Sequence, residues 1–294
     1  MAERDPLALI TDIRRRSPER IVPVLRSRRR RPLLGADGRL FLVAADHPAR
    51  GVLGVGAHPL AMADRGDLLR RLVLALGRPG VDGVMATPDV VEDLALLGAL
   101  DDRVVFGSMN RGGLAGSAFE LDDRFTAYTA TAIAAVGLDG GKMMVRISDG
   151  DAASLSTLTA CAGAISELAA LGLPALVEVF GADDSPEALM RAVAIASGLG
   201  ETSARTWLKL PVLRDMPRVL RATSLPVLLL GGDPGADAPA TYRRWAAAMA
   251  LPQVFGLVAG RTVLYPEHGD VARAVDEAAE IAHRPPPEGG DGEP

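Results

Sequence analysis

The chain has 294 residues, of which 48% are hydrophobic and 23% are charged, and this composition is typical of a folded protein with one large core. Its formal net charge of -5 and its pI of about 5.5 argue against nucleic acid or an anionic membrane as a partner. There is no apolar signal region at the N-terminus and no run of about 18 apolar residues. With Cys161 as the single cysteine, we expect a cytoplasmic protein without a disulfide.

An arginine-rich extension covers residues 1–39. It contains Arg14 to Arg16 and the run from Arg28 to Arg31, and its pattern predicts a helix near Leu7–Arg16. We interpret it as a solvated helical segment that caps the bottom of the domain. A nucleic-acid-binding arm is the alternative, but no aromatic side chains are interleaved with the arginines to stack on bases.

Residues 40–284 alternate short apolar runs with longer amphipathic stretches, which is the pattern of βα units around a parallel sheet. The predicted strands are Leu40–Ala45, Gly83–Ala86, Val104–Gly107, Met143–Ile147, Ala175–Val179, Thr206–Leu210, Val227–Leu230 and Gly256–Ala259. The predicted helices are Asp67–Leu76, Asp89–Leu100, Asp123–Val136, Leu155–Leu171, Pro186–Gly198, Met216–Ala222, Pro239–Ala250 and Val271–His283. Eight such repeats predict a single (β/α)₈ TIM barrel, with an open doubly wound sheet as the alternative. Residues 285–294 are rich in Pro, Gly and Glu, which predicts a disordered tail.

Lysine is scarce in this chain. Of the 32 Lys and Arg residues, only Lys142 and Lys209 are lysines. Arginine can replace lysine on a solvated surface, but its guanidinium stays protonated and cannot act as an amine nucleophile. The two lysines are therefore candidates for a chemical role.

Charged residues lie at the carboxyl ends of the predicted strands, where a barrel carries its active site. The first strand is followed by Asp46 and His47, the fifth carries Glu178 and the sixth carries Lys209. Alternation places Lys142 and Arg146 on one face of the fourth strand. If these faces point inward, two amines, two carboxylates and a guanidinium converge in an apolar barrel, where burial favours a neutral, nucleophilic lysine. The alternative is a structural role as two buried ion pairs, Lys142–Glu178 and Lys209–Asp46.

Glycine-rich turns follow the last two predicted strands. Gly231 and Gly232 follow the seventh, while Gly260 and Arg261 follow the eighth. Glycines let backbone N–H groups approach a phosphate, and Arg261 adds a charged donor. These turns predict a phosphorylated small-molecule substrate. The four histidines form no close pair and no nucleotide motif occurs, so we expect neither a metal nor a cofactor.

Together these residues resemble class I aldolases of the archaeal-type fructose-bisphosphate, tagatose-bisphosphate and autoinducer-processing kind. The resemblance covers about Leu40 to His283 and rests on short motifs in order: Ala44-Ala45-Asp46-His47, Gly141-Lys142-Met143-Met144, Val177-Glu178, Leu208-Lys209 and the Gly-Gly and Gly-Arg turns. More narrowly, the chain is similar to actinobacterial barrels that are labelled deoxyribose-phosphate aldolase-like and associated with inositol breakdown.

The resemblance implies a role for each matched residue. Lys209 would form a Schiff base, Glu178 would move protons during imine formation, and Asp46 would exchange a proton with the substrate hydroxyl. Lys142 would contact substrate hydroxyls and lower the pKa of Lys209. Arg146 and His47 are further candidates for substrate contact, and Gly231, Gly232, Gly260 and Arg261 for phosphate binding. Assembly into a homo-oligomer through the outer helices is expected for such barrels.

Three hypotheses follow. The first is a class I aldolase acting on a phosphorylated keto sugar or keto acid, with 2-deoxy-5-keto-gluconate 6-phosphate as the preferred substrate. The second is a sugar-phosphate isomerase or epimerase in which Glu178 is an enolising base and Lys209 only an electrophile. The third is a non-catalytic barrel that binds a sugar phosphate or a partner protein.

Overall fold

Eight parallel strands form a closed barrel in the computed structural model, which describes residues 6–148, 150–233 and 237–285. The strands are β1 Leu40–Ala44, β2 Gly83–Ala86, β3 Val104–Ser108, β4 Gly140–Arg146, β5 Ala175–Phe180, β6 Thr206–Leu210, β7 Val227–Leu230 and β8 Val254–Ala259. Each strand pairs with the next in the chain, and β8 pairs with β1. The predicted (β/α)₈ barrel is therefore confirmed, and the open doubly wound sheet is excluded.

Two helices precede the first strand, and at least one helix follows every strand on the outside of the barrel. They are α1 Pro6–Arg16, α2 Ile21–Ser27, α3 Arg65–Leu76, α4 Pro88–Leu96, α5 Ala130–Val136, α6 Ala153–Ala170, α7 Pro186–Ser197, α8 Met216–Leu220, α9 Ala238–Met249, α10 Arg261–Leu264 and α11 Val271–His283. Helix α1 confirms the helix predicted near the N-terminus, whereas α2 and α10 were not predicted. Within the described ranges, no helix is long and apolar enough to span a membrane.

Several predicted boundaries were wrong for local physical reasons. Helix α5 begins at Ala130 and not at Asp123, because Thr129 caps it by accepting a hydrogen bond from the N–H of Ala132 at 3.1 Å. Strand β4 begins three residues before the predicted Met143, at Gly140. A Cβ at Gly140 would lie 2.4 Å from the Phe106 ring, so this strand start needs glycine. Glycine is unfavourable within strands, and the sequence pattern therefore placed the strand start too late.

Two apolar layers fill the fold. The inner layer lies inside the barrel and consists of alternate strand residues, all buried: Leu40, Leu42, Ala44, Met85, Val104, Phe106, Leu176, Leu228 and Val258. The larger outer layer lies between the barrel and its helices. Full burial of a leucine or phenylalanine side chain contributes about 1.5–3 kcal/mol to stability. Because this inner layer fills the lower barrel, polar chemistry is confined to the strand ends.

The N-terminal extension packs below the barrel. The Arg28 guanidinium is buried and lies 2.6 Å from Asp139, the residue before β4, and Arg30 contacts the same carboxylate at 2.8 Å. Arg31 lies 2.5 Å from Asp82, directly before β2. Helix α2 ends at Ser27, so this arginine run is not a solvated helix but a set of ion pairs at the strand starts. Residues 286–294 of the predicted disordered tail lie outside the described residues.

Candidate active site

Four charged side chains meet above the apolar interior of the barrel. Lys142 on β4, Glu178 on β5 and Lys209 on β6 share the strand alternation of the inner apolar layer. Asp46 lies two residues after the end of β1. Their exposed fractions are only 1% for Lys142, 6% for Glu178, 3% for Lys209 and 2% for Asp46. The structure therefore brings together the four residues that were predicted to be catalytic.

Glu178 lies at the centre of this group. It is in register with Lys209 on the neighbouring strand, and its Oε1 lies 2.5 Å from Lys209 Nζ. Its other oxygen, Oε2, contacts Lys142 Nζ. One buried carboxylate thus bridges both lysines of the chain.

Asp46 binds Lys142, the lysine that also contacts Oε2 of Glu178. Its Oδ2 accepts hydrogen bonds from Lys142 Nζ at 3.1 Å and from Ser108 Oγ at 2.8 Å, and it forms an ion pair with Arg111. Of the two ion pairs considered from the sequence, the one between Lys142 and Glu178 is present. Asp46 pairs with Lys142 and Arg111 instead of Lys209.

Burial shifts the protonation equilibrium of Lys209 toward its neutral amine. Desolvation lowers the pKa of Lys209 below its ordinary value of 10.5, and Glu178 opposes this shift. The nearby cations Arg111 and Arg261 lower the pKa further. The pKa of Lys142 is also well below its ordinary value, because it is buried and lies near Arg111.

Glu178 remains ionised in the same surroundings. Burial alone would raise the pKa of Glu178, but the charges of Lys142 and Lys209 outweigh it and hold the pKa well below 4.5. Glu178 is therefore a carboxylate at neutral pH, in hydrogen-bond contact with an amine whose pKa is lowered by burial. This pair can exchange a proton without rearrangement.

The end of β3 contributes residues that the sequence interpretation missed. Ser108 and Arg111 hold Asp46, while Asn110 donates to the carbonyl of Met144 and accepts from its N–H, both at 2.7 Å. The signal was three polar residues, Ser108, Asn110 and Arg111, directly after a predicted strand. The third strand was placed correctly, but its end was not considered as part of the site.

Arg146 lies at the rim of the same site. Its guanidinium is held by Asp123, at 2.8 and 3.0 Å, and by Glu120 at 3.2 Å. Asp123 is fully buried, although the sequence placed it at the start of a helix. Arg50, in the 3₁₀ helix Pro48–Arg50, packs against the same loop.

The predicted glycine turns lie side by side on the opposite side of the mouth. A Cβ at Gly231 would lie 2.7 Å from Ala259 Cα, and one at Gly260 would lie 2.5 Å from the carbonyl oxygen of Ala44. Gly232 has φ of 71°, which favours glycine. Arg261 is ion-paired with Asp233. The backbone of these two turns is therefore closely packed and lies next to the Arg261 guanidinium.

His47 lies between the glycine turns and the lysines. A Cβ at Gly260 would lie 2.8 Å from His47 Cε1. Burial, followed by the charges of Arg261 and Lys209, lowers the pKa of His47 to about 3, so the imidazole is neutral. Its buried Nδ1 has no hydrogen-bond partner among the described residues.

The fold and the site define a (β/α)₈ barrel with lysines and carboxylates buried together at the carboxyl ends of its strands. Residues 38–279 match the sequence model of the Cgl0159-like family, and the chain belongs to that family. The crystal structure of Cgl0159 from Corynebacterium glutamicum is 49% identical in sequence, with a TM-score of 0.93 over 96% of this chain and 98% of that chain.

More distant solved structures share the barrel. An archaeal fructose 1,6-bisphosphate aldolase is 17% identical, with a TM-score of 0.65 over 90% of this chain and 99% of that chain. Another archaeal fructose-1,6-bisphosphate aldolase, with its catalytic lysine covalently bound to a carbinolamine intermediate, is 16% identical, with a TM-score of 0.64 over 90% and 99% of the two chains. At these identities the likeness concerns the fold. The comparison with curated proteins gave no match.

Proposed function

We propose that this protein is a class I aldolase that cleaves or forms a C–C bond of a phosphorylated keto sugar or keto acid through an imine at Lys209. The observation that carries the proposal is the 2.5 Å contact between Lys209 Nζ and the ionised Glu178 inside an apolar barrel. Burial lowers the pKa of this amine, as a nucleophilic lysine requires. The lysine-bound carbinolamine of the archaeal aldolase supports the proposal by analogy.

Imine formation uses Lys209 and Glu178. Lys209 passes a proton to Glu178, and the resulting neutral amine attacks the ketone carbon. The attacking nitrogen then loses a second proton, which the carbonyl oxygen takes up to give a neutral carbinolamine. Glu178 returns the first proton to the carbinolamine hydroxyl, which departs as water. The product is a protonated imine, which then accepts electrons from the neighbouring C–C bond.

Cleavage uses Asp46 as the base. Its carboxylate takes the proton from the hydroxyl on the carbon beyond the breaking bond, so that an aldehyde leaves and the bonding electrons move to the imine as an enamine. The enamine then takes up a proton at carbon, and water releases the ketone and restores Lys209. Ser108, Lys142 and Arg111 hold the Asp46 carboxylate in place, and Lys142 also reaches substrate hydroxyls.

The phosphate of the substrate would bind at Gly231, Gly232, Gly260 and Arg261, with His47 and Arg146 as further substrate contacts. Close backbone packing at these turns and a neighbouring guanidinium support that placement. The resemblance to barrels associated with inositol breakdown makes 2-deoxy-5-keto-gluconate 6-phosphate the preferred candidate substrate, with dihydroxyacetone phosphate as a product.

Reductive trapping tests the imine directly. The protein is incubated with dihydroxyacetone phosphate or with a candidate keto acid phosphate, reduced with borohydride and mapped by mass spectrometry. Because the chain has only two lysines, the adduct is assigned without ambiguity. We expect it at Lys209 and expect Lys209→Arg to abolish it, while the exposed variant Arg124→Gln is trapped like the wild type.

Other outcomes distinguish the remaining hypotheses. An adduct at Lys142 would transfer the nucleophile role to that residue. Turnover that survives Lys209→Arg would contradict imine catalysis and favour an isomerase or epimerase, since arginine keeps the charge but cannot form an imine. Binding of sugar phosphates without any adduct or turnover would indicate a non-catalytic barrel.

A further inference from the structure

Arg50 is a buried cation that the proposed mechanism does not use. The residue is 9% exposed, and its Nε donates to the carbonyl of Gly113 at 2.8 Å. Its Nη2 is buried and has no hydrogen-bond partner among the described residues. Burying a charged donor without an acceptor is costly, so such a group points to a ligand that is absent here.

The acids around Arg50 are committed to other cations. Asp123 binds Arg146 through two hydrogen bonds, and Glu178 contacts both lysines. The remaining acid is Glu120, whose Oε1 lies 3.2 Å from Arg146 but 3.9 Å from Arg50 Nη2, beyond hydrogen-bond distance. One guanidinium edge at the rim is left unsatisfied.

Glu120 shows which chemistry fits this position. Its side chain is 40% exposed, lies on the loop after β3, and is held there by the N–H of Gly116 at 2.8 Å. Its carboxylate sits between two guanidinium groups without satisfying one of them. A ligand carboxylate within hydrogen-bond distance of Arg50 Nη2 would supply the missing acceptor with a single negative charge.

The position of Arg50 relates it to the reacting centre. Burial lowers the pKa of Arg50, and the nearby Arg146 adds to the shift, while Asp123, Glu178 and Glu120 oppose it. Arg50 lies 3.9 Å from Glu120, which also binds Arg146, and Arg146 ends the strand β4 that carries Lys142. Arg261, which lowers the pKa of Lys209, lies after β8 next to the glycine turns. In the order of the closed barrel β4 and β8 are opposite strands, so Arg50 and Arg261 lie on opposite sides of the mouth.

We propose that Arg50 binds a carboxylate at the end of the substrate remote from its phosphate, so that the substrate is a phosphorylated keto acid and not a simple ketose phosphate. The inference rests on the proposed function for the position of the phosphate and of the reacting carbonyl. Arg50 then acts as a specificity-determining residue.

Three stable ligands without a ketone test the subsite separately from imine chemistry. 6-Phosphogluconate carries a carboxylate and a phosphate at opposite ends, glucitol 6-phosphate has a hydroxymethyl group in place of the carboxylate, and glucitol 1,6-bisphosphate has a second phosphate there. Calorimetry measures the Kd of each for the full chain. We expect 6-phosphogluconate to bind about tenfold or more tightly than glucitol 6-phosphate, as a charge-assisted hydrogen bond provides.

Variants connect that preference to Arg50. We expect Arg50→Gln to remove the preference for 6-phosphogluconate while leaving the Kd of glucitol 6-phosphate unchanged, and Arg50→Lys to restore part of it. Arg124→Gln, on the same loop, is the matched control and should behave as the wild type. Circular dichroism melting verifies that each variant is folded.

The outcomes separate this inference from the proposed function. Equal binding of all three ligands, no binding of any, or a uniform loss in Arg50→Gln would overturn the carboxylate subsite. Tighter binding of the bisphosphate than of 6-phosphogluconate would overturn the choice of carboxylate. Failure of borohydride trapping with an intact carboxylate preference would instead refute imine chemistry and leave the subsite standing.

Discussion

Glu178 and Lys209 face each other in register on neighbouring strands, with Oε1 and Nζ 2.5 Å apart inside an apolar barrel. A salt bridge in this position gives little net stability over apolar packing, because both charges are desolvated. The arrangement instead suits proton exchange at an amine.

Replacing Glu178 with glutamine should slow imine formation at Lys209. Glutamine keeps the shape of the side chain but cannot accept a proton, so we expect the rate of borohydride trapping with dihydroxyacetone phosphate to fall by about 10²–10⁴-fold. Glu201→Gln is the control, since Glu201 is exposed and far from the strand ends. An unchanged trapping rate in Glu178→Gln would assign the proton transfer to another group.

The two lysines allow a direct measurement of the pKa of Lys209. Protein labelled with ¹³C at the lysine ε carbon should give only two signals, and Lys142→Met assigns them. We expect Lys209 to titrate below its ordinary 10.5, because burial disfavours the charged amine. Glu178→Gln should lower the midpoint further, because that carboxylate favours the protonated form. A midpoint at or above 10.5 would contradict a desolvated nucleophile.

Asp233 competes with a ligand anion for Arg261. Its Oδ2 contacts Arg261 Nη1, and its Oδ1 accepts from the N–H of Gly56 at 3.1 Å. Asp233→Asn keeps an acceptor for Gly56 but removes the negative charge, so we expect glucitol 6-phosphate to bind about 3–10-fold more tightly by calorimetry. Arg261→Gln should weaken the same binding. Weaker binding by Asp233→Asn would show that Asp233 positions the guanidinium for the ligand.

His283, the last residue of α11, makes stability depend on pH. Its ring lies 2.6 Å from Asp37 and 3.3 Å from Asp82. The hydrogen bond to Asp82, together with Asp37, raises the pKa of His283 from 6.5 to about 9 despite burial. A raised pKa stabilises the fold fully below pH 6.5, and this stabilisation is lost as the pH rises through about 9.

Urea unfolding of the wild type and His283→Gln measures this effect. We expect the variant to lose up to about 3 kcal/mol at pH 6 and much less at pH 9.5. A loss that is the same at both pH values would mean that the histidine contributes by packing and neutral hydrogen bonds alone.

The buried ion pair below the barrel anchors the N-terminal extension. Asp139 accepts from Arg28, from Arg30 and from the N–H of Val105. Asp139→Asn leaves the buried Arg28 without its counter-charge, and we expect the free energy of unfolding to fall by about 3 kcal/mol or more. The matched substitution Asp102→Asn, at an exposed pair with Arg29, should cause no measurable change. Similar values for the two variants in urea titrations would refute a structural role for Asp139.

The sequence by itself determined the barrel and the faces of its strands. Alternation within each strand is local, because successive side chains must point to opposite faces of a pleated backbone, and it placed Lys142, Glu178 and Lys209 inside correctly. Local sequence signals gave the wrong start for helix α5, which was predicted at Asp123. The helix begins at Ala130, after Thr129, which lies six residues after Asp123 and caps it.

Only the tertiary structure decided which charges meet. Asp46 pairs with Arg111 and with Lys142, which is 96 positions away in the sequence. Barrel closure and the stagger of the strands bring these strand ends together. Arg50 and Arg146 approach the same acidic loop for the same reason. Strand patterns state which way a side chain points, whereas its partners depend on the register and curvature of all eight strands, which no single segment encodes.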